Sequence, residues 1–374
     1  MRKSVFCVLL LALLLCACGT GAEQPSAPAA ATTAAPTPEP APAPTPEPTE
    51  WVLSGESAEE ILALADVSAL RLVDGTASQE YAAMLELSRL RPDCQVLWNY
   101  EFEGVLYPNT AAELKAAGLD GLEDAVRYLP ALSYIDVIDT PATVEDLDRL
   151  YDINPDAFYY WSFPLEGRTL RTDLQVYSSL RDGVMHRLTS EELYPMLKYC
   201  RNLRALDLGH NDLSDLTWLG KLSELEVLIL ADNPRITDAA PLAGLTRLHY
   251  LEFFMLPNVE DFSFLNSLTG LEELNLCRDD QLRDLSFLEH LTKLRFLMIK
   301  FTACDAESVA AWQEKMPDTR IVFLGYGDLE ATGNGWRETA KNKRIREMFF
   351  YWHYVSRYEA YDDLSFDFSE SRYP

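Results

Sequence analysis

Residues 203–247 read LRALDLGHNDLSDLTWLGKLSE and then LEVLILADNPRITDAAPLAGLTR, two segments that begin at Leu203 and Leu225 and keep the same pattern, the second one residue longer. The register continues with LHYLEFFMLPNVEDFSFLNSLTG from Leu248, LEELNLCRDDQLRDLSFLEHLTK from Leu271 and LRFLMIKFTACD from Leu294, at spacings of 22, 23, 23 and 23 residues. Self-similarity at this period predicts a solenoid. Each unit has apolar residues at its first, fourth and sixth positions, and the last two alternate with their neighbours as a short strand requires. One coil cannot bury that face alone, but stacked coils can. Leu206, Leu228, Leu251, Leu274 and Leu297 are therefore expected to form one interior row of a parallel sheet.

The ninth position holds Asn211, Asn233, Leu256, Asp279 and Thr302. An Asn there can satisfy backbone groups where the chain leaves the strand. Leu256 interrupts that row, so the third coil is expected to turn differently. An Asp follows in each of the first four units (Asp215, Asp238, Asp261, Asp284), a residue suited to cap a short helical turn. Units of this length leave room only for 3₁₀ or single-turn helices on the convex side. The pattern L-x-x-L-x-L-x-x-N-x-L-x-D-L-x-x-L-x-x-L over residues 203–299 resembles the internalin-like class of bacterial leucine-rich repeats. What the resemblance implies is an α/β solenoid that binds proteins or glycans on its concave face, and no chemistry.

The residues before the solenoid align against themselves. RPDCQVLWNYEFEG at 91–104 matches NPDAFYYWSFPLEG at 154–167 with a constant offset of 63, placing Trp98 on Trp161 and Glu103-Gly104 on Glu166-Gly167. MPDTRIVF at 316–323 is a shorter copy. Helix-compatible stretches from Ser78, Val144 and Ala306 precede the three copies, and each Pro-Asp ends its helix. Strands from Ala69, Ser133 and Arg295 come before those helices. Thr143 and Thr189 stand three residues ahead of Asp146 and Glu192, as in a capping box. Residues 51–202 thus read as degenerate strand–helix repeats of the same solenoid, with a separate N-terminal α/β domain as the alternative. A hairpin is expected at 161–177, turning near Gly167.

Residues 1–18, MRKSVFCVLLLALLLCAC, have a charged start and an apolar run too short for a stable span, the pattern of a secretory signal. Leu15-Cys16-Ala17-Cys18 followed by Gly19 resembles a bacterial lipobox, which implies that Cys18 is lipidated and holds the protein at the outer face of the cell membrane. Residues 19–50 are Pro-rich and cannot build a core. As extended polyproline II, residues 22–50 reach about 90 Å at ~3.1 Å per residue, a stalk. Residues 203–333 are then the leucine-rich repeats, and 334–374 a C-terminal cap helix and tail. In that helix Tyr351, Tyr354, Tyr358 and Tyr361 share one face, expected to pack on the last coil. Arg337, Lys341, Lys343, Arg344 and Arg346 form a basic cluster on an acidic protein, expected to be solvated and drawn to acidic coils. Lipobox, stalk, Pro-Asp/Trp units, repeats and the Gly-Asn-Gly-Trp-Arg entry to the last helix together resemble leucine-rich-repeat lipoproteins of Gram-positive bacteria. That resemblance brings no activity with it.

A formal net charge of −27 argues against nucleic acid as a partner. The chain holds no H-E-x-x-H, G-x-S-x-G, Walker or G-x-G-x-x-G motif, and its five His have no metal-ligand spacing. The acidic run at 136–152 lacks the pattern of a Ca²⁺ loop. Neither cofactor nor metal is expected, and no enzyme. Cys94, Cys200, Cys277 and Cys304 have no motif spacing; free thiols are the default, with disulfides left open. Candidate ligand residues come from strand positions facing away from the core. In the third to fifth coils these include Tyr250, Glu252, Phe254, Glu273, Phe296 and Met298. Aromatic anchors ringed by charge suit a protein or peptide partner, while open rings beside carboxylates would suit a glycan. The alternative is that the C-terminal helix or a flanking loop folds over the patch, and the sequence leaves open whether it is exposed or covered.

Overall fold

The computed structural model describes residues 49–165, 167–179, 187–323, 336 and 339–350. Contacts divide the chain into Met1–Pro46 and Glu47–Pro374, and all described residues lie in the second unit. Among the described residues no helix is long and apolar enough to cross a membrane. Cys18, residues 19–48 of the expected stalk and the four-tyrosine stripe lie outside the described residues, and Glu50, the stalk's expected last residue, already opens a strand.

The unit opens with β1 (Glu50–Val52), α1 (Ala58–Ala63), β2 (Leu72–Asp74), α2 (Tyr81–Leu90) and β3 (Gln95–Leu97), whose strands pair in parallel in that order. An antiparallel hairpin follows, β4 (Asn99–Phe102) with β5 (Val105–Pro108), turning at Glu103 and Gly104, both at positive φ. The series then recurs as β6 (Glu113–Lys115), α3 (Leu122–Tyr128), β7 (Tyr134–Asp136), α4 (Val144–Ile153), β8 (Phe158–Tyr160), and the hairpin β9 (Ser162–Leu165) with β10 (Arg168–Arg171). The offset of 63 residues carries β1 onto β6, α2 onto α4, β3 onto β8 and hairpin onto hairpin.

The copied residues explain the copied geometry. Each hairpin starts at a buried Trp whose indole N–H donates to a carbonyl, Trp98 to Tyr128 (2.8 Å) and Trp161 to Ala142 (3.2 Å). Each ends at a buried polar residue that pins the two ends together. Asn109 accepts from Trp98 N at 3.3 Å and donates to Val96 O at 2.9 Å; Thr172, 63 residues on, accepts from Trp161 N at 2.9 Å and donates to Tyr159 O at 2.5 Å. The capping boxes at Thr143 and Thr189 form as their sequence suggests.

The third series begins with β11 (Val176–Ser178) and α5 (Ser190–Leu197). It continues as β12 (Ala205–Asp207), β13 (Val227–Ile229), β14 (Tyr250–Glu252), β15 (Glu273–Asn275), β16 (Phe296–Met298), α6 (Ala306–Lys315), β17 (Arg320–Val322) and α7 (Ala340–Phe350). Strands β11 to β17 form one parallel sheet in chain order. Its register aligns Leu206, Leu228, Leu251, Leu274 and Leu297 in one fully buried row, as the repeat predicts. The Asp of each coil accepts a backbone N–H two residues on, at 2.8–3.0 Å, and a 3₁₀ turn follows. One continuous apolar core runs from Phe102 to Val309, spanning the second and third series. The first series has its own, from Leu53 to Trp98.

One expectation needs correction. The third coil does not turn differently. His210, Asp232, Met255, Arg278 and Phe301, one per coil, all take φ between 55° and 62°, so the turn is set by a left-handed residue at the eighth position. Asn211 and Asn233 donate from Nδ2 to the carbonyl three residues back. Leu256 cannot, but its own N–H is met by Asp279 Oδ1 of the next coil at 2.9 Å. The expected packing of Tyr351, Tyr354, Tyr358 and Tyr361 on the last coil falls on residues outside those described. Trp336, Thr339 and α7 lie on the sheet itself, and α7 reaches back to β11. The sheet offers them a broad apolar surface, which a single terminal coil does not.

Candidate functional site

The core-facing row of the sheet alternates with an outward row on each side. Register places Ala205, Val227, Tyr250, Glu273 and Phe296 abreast in one row, and Asp207, Ile229, Glu252, Asn275 and Met298 in the other. Phe254 and Cys277 follow one step further along. The sequence thus brings the six candidate residues onto one face. All six are buried; Tyr250, Glu273, Phe296 and Met298 have no exposed surface.

What buries them is the C-terminal segment. The Trp336 ring sits 5.3 Å from that of Tyr250 and 5.4 Å from that of Phe296. Trp336, Ile345 and Phe349 complete a second apolar core with Val176, Ala205, Val227, Ile229, Phe254, Cys277 and Met298. Polar contacts set the register. Thr339 Oγ1 donates to Glu273 at 3.1 Å and accepts from Asn342 N at 2.9 Å, fixing the helix start. Asn342 Nδ2 donates to Tyr250 Oη at 2.5 Å, and the Tyr250 hydroxyl is hydrogen-bonded to Glu252. Lys341 Nζ reaches Glu272 at 2.6 Å.

The face is acidic beneath its apolar residues. Asp207 is held by Gly209 N and Ser178 Oγ, each at 3.0 Å. Burial pushes its carboxyl up to about 6, with nearby Glu252 adding to the effect. At the rim, Arg204 makes a bidentate pair with Glu226 at 2.9 Å. Burial works to raise the Glu226 carboxyl, but His249 and Arg204 outweigh it and hold it below the usual carboxylate range. Burial also lowers the His249 imidazole.

Of the basic cluster, Lys341 faces Glu272, Lys343 is exposed and Arg344 half-buried; Arg337 and the Arg346 side chain lie outside what is described. Sequence reasoning did not single out Trp336, Thr339, Asn342, Ile345 and Phe349 as parts of this site, and it left Asp207, an outward strand position, off the candidate residues. The usable signal was the apolar spacing of Trp336, Ile345 and Phe349 opposite an apolar sheet face. Among the described residues no cluster of His, Cys, Asp and Glu could hold a metal ion. Cys94, Cys200, Cys277 and Cys304 are buried free thiols.

Fold and repeat define the class of architecture: an α/β leucine-rich-repeat solenoid. Residues 201–244 match the family model described as Leucine Rich repeats (2 copies), and the same coil geometry runs on through β16. Two solved structures from Listeria monocytogenes are similar. Internalin C2 shares 23% identity at a TM-score of 0.33, over 56% of this chain and 77% of that one. Internalin F shares 17% identity at 0.33, over 72% of this chain and 64% of that one. At this overlap neither likeness bears on ligand or mechanism. No curated protein matches the chain.

Proposed function

We propose that the protein is a lipid-anchored binding protein of the bacterial cell surface, without catalytic activity, that takes a protein or peptide partner on the concave face of its repeats. One observation carries this: the object seated on that face is itself a peptide segment, held by Tyr250, Glu252, Glu273 and Phe296 and packed among Phe254 and Met298. Aromatic anchors over charged groups suit a protein interface. Rings that stack on sugars must be open, and Tyr250 and Phe296 lie under Trp336, which favours peptide over glycan. The lipobox-like Leu15-Cys16-Ala17-Cys18 supports lipidation at Cys18, and residues 19–50 support a stalk.

Full-length wild type and the Tyr250→Ala plus Phe296→Ala variant, screened on peptide and glycan arrays, test the site. Peptide binding lost only in the folded double variant is expected. Unchanged binding moves the site elsewhere, and turnover of any glycan removes the claim of no catalysis. For the anchor, Cys18→Ser is expected to shift the protein from the membrane fraction to the medium, and retention at the membrane refutes lipidation.

A further inference from the structure

The molecule has two apolar cores on opposite sides of one sheet. The lower is built by the coils themselves, from Phe102 to Val309. The upper is completed by only three described side chains from outside the sheet and its edges, Trp336, Ile345 and Phe349. Without them, Val176, Val227, Ile229, Tyr250, Phe296 and Met298 would form a contiguous open apolar patch, the mark of an interaction surface. The leucine row beneath would stay packed, so the sheet does not depend on its cover.

The cover also fits imperfectly. Trp336 Nε1 and Asn342 Oδ1 are fully buried without a hydrogen-bond partner among the described residues. On the groove floor Asn275 Nδ2 is likewise buried and unpartnered, although its Oδ1 accepts from Cys277 N at 3.0 Å. Buried polar groups in native structures are nearly always paired. The floor offers a donor that its own cover leaves unused, and the cover brings an acceptor that the floor does not meet. Charge is complementary as well: Glu252, Glu272 and Glu273 face a segment carrying Lys341, Lys343 and Arg344.

We infer that the concave groove is a receptor for a basic amphipathic α-helix of a partner protein, and that Trp336 and residues 339–350 occupy it as a displaceable placeholder. This rests on the proposed peptide-binding function and names its ligand class. The partner helix presents a large aromatic residue over Tyr250 and Phe296, a cation at Glu272, and an acceptor such as an amide oxygen opposite Asn275. Because the placeholder is tethered, it competes at high effective concentration. Apparent partner affinity therefore falls with the fraction of closed molecules.

A labelled synthetic peptide of residues 334–350, titrated by fluorescence anisotropy into the full-length protein, tests this directly. Wild type is expected to bind it weakly. Trp336→Ala in the full chain loosens the cover and should tighten binding on the order of tenfold or more. Lys341→Glu, which removes the rim pair without touching the sheet, should act in the same direction if Trp336→Ala misfolds. A peptide carrying Lys341→Glu should bind neither protein. The inference is overturned if the peptide fails to bind both loosened variants while they keep wild-type thermal transitions. It is equally overturned if a loosened variant dimerises in sedimentation by exchanging helices, which makes a second copy the occupant. A partner captured by wild type that the peptide does not displace also removes it, yet leaves the proposed binding function standing.

Discussion

The two faces of the seven-stranded sheet are buried for different reasons. Below it, the same residue type recurs at each rung from Leu206 to Leu297, and each coil covers the next. Above it, the rungs change character, from Ala205 to Val227, Tyr250, Glu273 and Phe296, and burial depends on a segment joined by contacts across up to 92 residues of sequence. Burial below is a property of the repeat, whereas burial above is a property of one docking event. A face that must be buried for folding becomes uniform; a face whose burial is conditional keeps chemical variety.

The largest effect should come from the lower face. Leu251→Ala opens a cavity among fully buried neighbours and should cost about 2–5 kcal/mol of global stability, read as a shifted urea midpoint with one transition. Trp336→Ala should instead act locally. Amides of Ala340–Phe350 are expected to lose roughly a hundredfold in hydrogen-exchange protection, about 3 kcal/mol, while those of β12 to β16 stay protected. If both sets lose protection together, the contrast between the faces is broken.

A smaller effect sits where a coil departs from the Asn pattern. Asp279 occupies an Asn position, its Oδ2 is buried without a partner among the described residues, and burial raises its carboxyl well above the usual range. With its folded value raised, its contribution is greatest below the unfolded value of 3.8 and is lost as pH rises through the folded value. Asp279→Asn restores a donor and should add about 1–2 kcal/mol at pH 7, with a flatter pH dependence in urea melts. Smaller again is Asp207 on the upper face. Its raised carboxyl contributes stability that falls away from 3.8 up to about 6. Asp207→Asn should remove that slope, and an unchanged slope would place the titration in another group.

The lower face was legible because one leucine pattern, repeated at 22 or 23 residues, admits one way of hiding itself. The turn was legible only in part. Leu256 looked like a break, but the left-handed φ of Met255 and a carboxylate from the next coil hold the same path. The hairpin at 162–171 could be read from its own residues, and the one at 99–108 follows by subtracting 63. The composition of the upper face was legible as well, down to Tyr250, Glu273 and Phe296. Its cover was not, because nothing local in Trp336 or Asn342 says whether they dock on the sheet or on its end.

The two hairpins have a mechanical consequence. They interrupt strand pairing, so the thirteen parallel strands among the described residues are split into ladders of three, three and seven, and the first ladder has a separate core. It meets the next through a cluster of Tyr81, Tyr100 and Tyr128, with ring centroids 4.9–5.7 Å apart, and the Trp98 indole. Force applied near Thr49 therefore reaches that small unit before the shared core. Stretched from this end, the chain gives way in steps, and the first rupture spares the groove.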